Sequence, residues 1–205
     1  MGTSYGKDAI FTPPSPVVPN IYVAVVVYNG TNDVAKVWKN GTATSLTSGV
    51  TDATATGVAV SGNDVYVVGW EVIGGYYIAR IWKNGVGVSL SGSNTDARAY
   101  SVFIAGNDVY VSGYENVGGL DVARIWKNGL ASTLAGANSF ALSCYVLGSD
   151  VYVAGKSTGP TGFGLYYPTV WKNGIPTYYN NGSNGAWATG IFVSGNDIHV
   201  SGIGS

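Results

Sequence analysis

The four-residue word Trp-Lys-Asn-Gly occurs four times, beginning at Trp38, Trp82, Trp126 and Trp171, at spacings of 44, 44 and 45 residues. A second word, close to Gly-Asn-Asp-Val-Tyr-Val, recurs around Asp64, Asp108, Asp150 and Asp197. The two words keep a fixed offset, since Asp64 precedes Trp82 by 18 residues and Asp108 precedes Trp126 by 18. The same offset counted back from Trp38 reaches Asn20, followed by Ile21-Tyr22-Val23, a degenerate fifth copy. A period in the forties restricts a chain to propellers and solenoids, because each unit can bury its apolar face only against the next. The copies have diverged too far for a designed array of identical units. This is a natural repeat.

Within one period the spacing predicts four short strands. Strand A runs from Ala55 to Ser61, B from Asp64 to Trp70, C from Ile78 to Trp82 and D from Val86 to Leu90. Gly62-Asn63-Asp64 joins A to B and Asn84-Gly85 joins C to D, and both are tight-turn sequences because Asn and Gly accept positive φ cheaply. No stretch carries a helical apolar period, and an LRR-type solenoid would need a shorter, Leu-rich repeat. Four antiparallel strands in about 44 residues is the arithmetic of a propeller blade. The expected fold is therefore an all-β β-propeller with four or five blades over residues 20–205. Residues 1–19, with Pro13, Pro14, Pro16 and Pro19, read as a leader or linker.

Strand A appears four times, B five times, and C and D four times each. Propellers commonly close by pairing strands from the two ends of the chain within one blade, which removes a free edge. Thr189 to Ser194 could then complete the first blade of a four-bladed ring, leaving one B strand surplus. The alternatives are a longer array, or a fifth blade completed by another chain.

Composition removes many function classes. Charged residues are 10% of the 205-residue chain, against about 25% in an average soluble domain. The net charge of −1 provides no basic field for a nucleic-acid backbone or an anionic membrane. One cysteine, Cys144, forbids an internal disulfide, and one histidine, His199, forbids a His-rich zinc site. The longest apolar run, Ile21 to Tyr28, is too short to span a bilayer. No cofactor, metal, nucleic acid or enzymatic activity is expected.

The sequence Ser-Gly-Asn-Asp-Val-Tyr-Val, an aromatic-rich segment, then Ala-Arg-Ile-Trp-Lys-Asn-Gly resembles repeats of secreted or surface-anchored proteins from Bacteroidota-type bacteria. The resemblance covers roughly Asn20 to Gly202. It implies a β-propeller of extracytoplasmic, lipoprotein-derived origin, on the cell surface or secreted, and it carries no catalytic or binding residues to transfer.

In an up-and-down blade the A–B and C–D turns share one face, and the B–C and D–A connections share the other. The first face carries the repeated turns, and the second carries what differs between copies. Its B–C loops are expected at Tyr28–Asp33, Trp70–Tyr77, Tyr114–Asp121 and Lys156–Tyr167, and its D–A loops at Thr47–Thr54, Ser91–Arg98, Ala135–Phe140 and Tyr179–Trp187. Solvent-exposed loops also drift, but drift favours small polar residues, whereas these hold Trp70, Tyr76, Tyr77, Tyr114, Phe163, Tyr166, Tyr167, Tyr179 and Trp187. Flat rings on a loop face suit recognition of a carbohydrate or a protein. One column, Thr54, Arg98, Phe140 and Trp187, falls where each innermost strand begins and is either a ligand-contacting rim or a packing plug. The expected ligand-binding set is Trp70, Tyr76, Tyr77, Arg98, Tyr114, Phe140, Tyr166, Tyr167 and Trp187. The expected partners are a glycan or protein ligand, or neighbouring copies of the same chain.

The remaining chemistry has plainer expectations. Asp64, Asp108, Asp150 and Asp197 are read as turn residues bonding local backbone. Glu71 and Glu115 occupy equivalent positions and are a weak candidate for a catalytic pair, because glycosidase carboxylates must face each other across one bond. Cys144 is read as a buried thiol, and His199 as a substitution in a Tyr packing slot. Lys39, Lys83, Lys127 and Lys172 would ring one face with positive charge, either drawing an anionic partner or providing solubility and protection of edges. The sequons at Asn29, Asn40 and Asn181 are read as by-products of turn sequences. The Trp of each repeat is expected to pack between blades.

Overall fold

The computed structural model describes residues 18–134, 136, 138–159, 164–179 and 185–204. Leader residues up to 17, the loop aromatic Phe163 and the Asn181 sequon lie outside these residues. Among the described residues there are seventeen strands and no helix. The chain is all-β, in five successive antiparallel sheets. The first holds β1 (Tyr22–Tyr28), β2 (Asp33–Lys39) and β3 (Thr42–Ser45). The second holds β4 (Ala53–Ser61), β5 (Asp64–Ile73), β6 (Tyr76–Lys83) and β7 (Val86–Ser89). The third holds β8 (Ala97–Ala105), β9 (Asp108–Val117), β10 (Leu120–Lys127) and β11 (Leu130–Thr133). The fourth holds β12 (Ser139–Leu147), β13 (Asp150–Ser157), β14 (Tyr167–Lys172) and β15 (Ile175–Tyr178). The fifth holds β16 (Trp187–Ser194) and β17 (Asp197–Ile203).

Turn chemistry sets this order. At every C–D turn both residues have positive φ, as in Asn84 (51°) and Gly85 (85°), the combination a type I′ hairpin requires. The expected B–C loops Trp70–Tyr77 and Tyr114–Asp121 are hairpins instead. Gly74-Gly75 and Gly118-Gly119 turn with positive φ at both residues, so β5 and β9 run on through Ile73 and Val117. Trp70 and Tyr114 are consequently strand residues. Loops of eight residues were expected where two glycines suffice.

The two repeated words are one physical unit. In the second sheet, Val65 N–H donates to Asn84 Oδ1 (2.9 Å), Asn84 Nδ2 donates to Asp64 Oδ1 (2.8 Å), and Lys83 pairs with Asp64 at 2.7 Å. The same Asp–Lys pair joins Asp108 to Lys127 and Asp150 to Lys172, each at 2.8 Å. These aspartates bond the neighbouring hairpin rather than their own turn, which corrects the turn-residue reading. It also removes the free lysine ring, because three of its four members are neutralised by the repeat's own carboxylates.

Tryptophan makes the core. Trp82 packs among Ala35 of the first sheet and Ala53, Ala55 and Val67 of the second. Trp126 joins Val68, Ala79 and Leu90 of the second sheet to Ala97, Ala99 and Val111 of the third. Trp171 sits with Ala123, Ile125 and Leu134 of the third and Ala141, Cys144 and Val153 of the fourth. Each ring thus fills the space between its own sheet and the preceding one, where alanines leave room for it. Trp38, in the first sheet, stays 40% exposed, against 1% or less for the other three.

Each A strand carries a one-residue bulge early in its length, at Thr56, Tyr100, Leu142 and Thr189. The facing B strand has glycine there. A Cβ on Gly69 would lie 1.8 Å from the Thr54 carbonyl oxygen, and one on Gly113 would lie 2.0 Å from that of Arg98. The bulge re-aims the first residues of strand A, and the glycine lets the backbones approach.

The sheets form an open series. β1 packs on β4, β4 on β8, β8 on β12 and β12 on β16, and the described residues show no comparable packing between the first and fifth sheets. β16 pairs with β17 rather than with a strand of the first sheet.

Candidate binding surface

The column Thr54, Arg98, Phe140 and Trp187 stands at the start of β4, β8, β12 and β16, where the bulges lie. Register places Trp70, Tyr114, Lys156 and Ile203 opposite those residues. The rings of the two columns, with Tyr100 and Tyr166, form one continuous row across the sheets. Trp70 meets Tyr100 edge-on at 6.1 Å between centroids, and Tyr100 stacks on Tyr114 at 6.1 Å. Tyr114 meets Phe140 at 4.8 Å, and Phe140 meets Tyr166 at 5.9 Å.

Two cations are set into this row. The Arg98 guanidinium lies 4.0 Å from the Tyr77 centroid and 5.1 Å from that of Trp70. The Lys156 ammonium lies 4.3 Å from Tyr166 and 4.7 Å from each of Phe140 and Trp187. Rings attract cations through their quadrupole, more strongly where water is partly excluded. Burial holds the Lys156 ammonium below the ordinary lysine range, with the Asp121 carboxylate opposing that effect. Burial also pushes the Tyr114 hydroxyl up to about 12 and raises the Tyr100 and Tyr166 hydroxyls. Among the described residues, neither Arg98 nor Lys156 has a carboxylate within ion-pair distance.

Seven of the nine expected residues come together here: Trp70, Tyr77, Arg98, Tyr114, Phe140, Tyr166 and Trp187. Tyr76 does not join them. It stands opposite Ile73 at a hairpin tip, exposed. Tyr167 is a strand residue opposite Ser157, its ring close against Gly159. Tyr114 is no exposed loop ring, being only 7% exposed and packed within the row. Two members escaped the sequence reading. Tyr100 is the extra residue of a bulge, which a strict alternation skips. Lys156 shares its register position with Trp70 and Tyr114, so aligning the B strands through to their ends would have exposed it.

The surrounding carboxylates have structural partners. Glu71 pairs with Arg80 at 3.4 Å and Glu115 with Arg124 at 2.9 Å, each across one β-hairpin. Asp96 Oδ1 accepts the Tyr77 N–H at 2.9 Å while its carbonyl accepts the Asn116 N–H at 2.7 Å. Those two bonds fix Tyr77, and with it the ring beneath Arg98. Asp52 bridges Asp33 and Val72 in the same manner one sheet earlier. Cys144 is buried, and burial pushes its thiol up to about 11.

A second row lies farther along the A strands. Phe103 meets Tyr145 at 4.7 Å, Tyr145 meets Phe192 at 5.3 Å, and Phe192 faces His199 at 6.1 Å. Among the described residues no group of three or more His, Cys, Asp or Glu is placed to hold a metal, and no helix is long and apolar enough to cross a membrane. No protein-family model matches the chain, and no curated protein matches it.

Proposed function

We propose that the chain is a non-enzymatic, extracellular or surface-displayed module of propeller type that binds a glycan along the Trp70–Trp187 row. The observation that carries this reading is the row itself, with aromatic faces and two cations, Arg98 and Lys156, that have no ion-pair partner among the described residues. Sugar rings present C–H faces that lie flat on aromatic rings, and an acidic sugar adds a carboxylate for the cations. A protein ligand with an acidic, aromatic-seeking segment would use the same groups. The test is binding of the purified chain to immobilised neutral and acidic polysaccharides, with Arg98→Gln and Lys156→Met as variants. Preferential retention on acidic polysaccharides, lost in both variants while their melting temperatures hold, supports the reading. Equal retention of wild type and variants on every matrix overturns it.

A second reading, a subunit completed by neighbouring chains, is favoured by the exposed strands of the first and fifth sheets.

A further inference from the structure

We infer that the row is three successive subsites of alternating charge, positive, negative and positive, and that it selects a glycan whose acidic sugars are separated by a neutral one. This deepens the glycan reading and rests on it. Each subsite is built from a residue late in strand B, a residue at the entry to strand C of the same sheet, and the strand A column of the next sheet. In the first, Trp70 and Tyr77 of the second sheet face the Arg98 guanidinium of the third at 5.1 and 4.0 Å. In the last, the Lys156 ammonium of the fourth sheet lies 4.3 Å from Tyr166 and 4.7 Å from Trp187 of the fifth. Each of these two subsites therefore offers two rings and a cation.

Strand register completes the middle one. Tyr77 lies two residues before Ala79, the partner of Trp70, and Asp121 lies two residues before Ala123, the partner of Tyr114. Asp121 is therefore the counterpart of Tyr77, on the same face as Tyr114 and within diagonal reach of it. The Phe140 ring of the fourth sheet meets Tyr114 at 4.8 Å. The middle subsite thus offers two rings and a carboxylate.

That carboxylate is oriented and has acceptor capacity left. Asn116 stands directly opposite, and its Nδ2 donates to Asp121 Oδ1 at 3.1 Å. Asn116 Oδ1 accepts the Gly119 N–H at 3.1 Å, and the Asn116 N–H donates to the Asp96 carbonyl at 2.7 Å. The oxygen end of the amide is therefore engaged at the turn, and its donor end faces Asp121. Among the described residues no cation lies within ion-pair distance of Asp121, and Asn116 is the one side chain that bonds its carboxylate. Burial is the first cause of the shifts at Tyr100, Tyr114, Tyr166 and Lys156, and the Asp121 charge acts on all four. The half-buried Asp121 is thus set among the polar groups of the row. A carboxylate there accepts strong hydrogen bonds from sugar hydroxyls and repels a second carboxylate. A glycan with an acid on every sugar sets one of them against Asp121. One that alternates places its acids at Arg98 and Lys156 and the hydroxyls of a neutral sugar at Asp121.

The test is retention of the purified chain on four immobilised polysaccharides. Hyaluronan and unsulfated chondroitin alternate an acidic with a neutral sugar, whereas polygalacturonate and alginate carry an acid on every sugar. Wild type should be held more strongly by the alternating pair. Asp121→Asn should weaken that retention about tenfold, the loss of one charged hydrogen bond, with its melting temperature kept. Asp121→Tyr, which copies the residue of the other two subsites, should likewise abolish the preference. A carboxylate that only repels predicts the opposite sign, so tighter binding of Asp121→Asn to all four matrices overturns the inference. A wild type that favours polygalacturonate and alginate overturns it too. Unchanged retention of Asp121→Asn alongside losses in Arg98→Gln and Lys156→Met overturns the role of Asp121 and leaves the glycan reading standing. No retention of wild type on any matrix overturns both.

Discussion

The Lys156 ammonium of the fourth sheet lies 4.7 Å from the ring centroid of Trp187, the first residue of the fifth. Phe140 and Tyr166 press on the same ammonium, so one cation organises three rings from two sheets. Burial holds its pKa below the ordinary value. For a lysine this means that folding disfavours the charged form, so the charge costs stability at neutral pH and the cost fades as pH rises through the folded pKa. Lys156→Met should keep or raise the melting temperature while weakening retention on acidic polysaccharide. A fall of several degrees would show that the ammonium stabilises the row.

Trp82, Trp126 and Trp171 fill the inter-sheet cores. Trp82→Ala and Trp126→Ala should each cost about 3–5 kcal/mol by the large-to-small penalty, a large share of the about 5–15 kcal/mol a domain holds. Trp38→Ala should cost clearly less in the monomer, since that ring is already 40% exposed. Urea denaturation of the three variants checks the order, and equal losses would refute the assigned packing.

The close approach at Gly113 makes a sharper substitution. A Cβ there meets the Arg98 carbonyl oxygen at 2.0 Å, and backbone can move aside only by breaking the β8–β9 ladder. Gly113→Ala should therefore destabilise by about 1–3 kcal/mol or more. Val68→Ala, by contrast, would only remove methyl groups from the adjoining core. Circular dichroism melts should show that the one added methyl at Gly113 costs at least as much as the methyls lost at Val68. A Gly113→Ala melt matching wild type would mean that the two backbones do not approach so closely.

Acid should loosen the hairpins in concert. The Lys83, Lys127 and Lys172 ammoniums hold the carboxyls of Asp64, Asp108 and Asp150 below their ordinary value of 3.8. A depressed carboxylate pKa stabilises the fold above the unfolded value, and that stability is lost as pH falls through the folded one. Melting temperature should accordingly drop below about pH 4. Removing the three carboxylates together by Asp→Asn should flatten that part of the profile, and a profile unchanged by the substitutions would exclude these pairs as its source.

The sequence by itself determined the strand count, the Asn-Gly hairpin turns and the burial of Trp82, Trp126 and Trp171, though not the 40% exposure of Trp38. Those features are local or periodic: Asn84-Gly85 needs only its own φ angles, and a ring repeated every 44 or 45 residues returns to the same slot. Tertiary structure decided the rest. That Asp64 serves Lys83 and Asn84 follows from strand register, which an aspartate in a turn word does not reveal. That Trp70, Tyr100 and Tyr114 form one row depends on a bulge, whose extra residue shifts every side chain after it to the other face. Arg98 and Lys156 became neighbours of rings from adjacent sheets only when those sheets packed. Burial between sheets is a property of pairs of repeats, and no single repeat contains it.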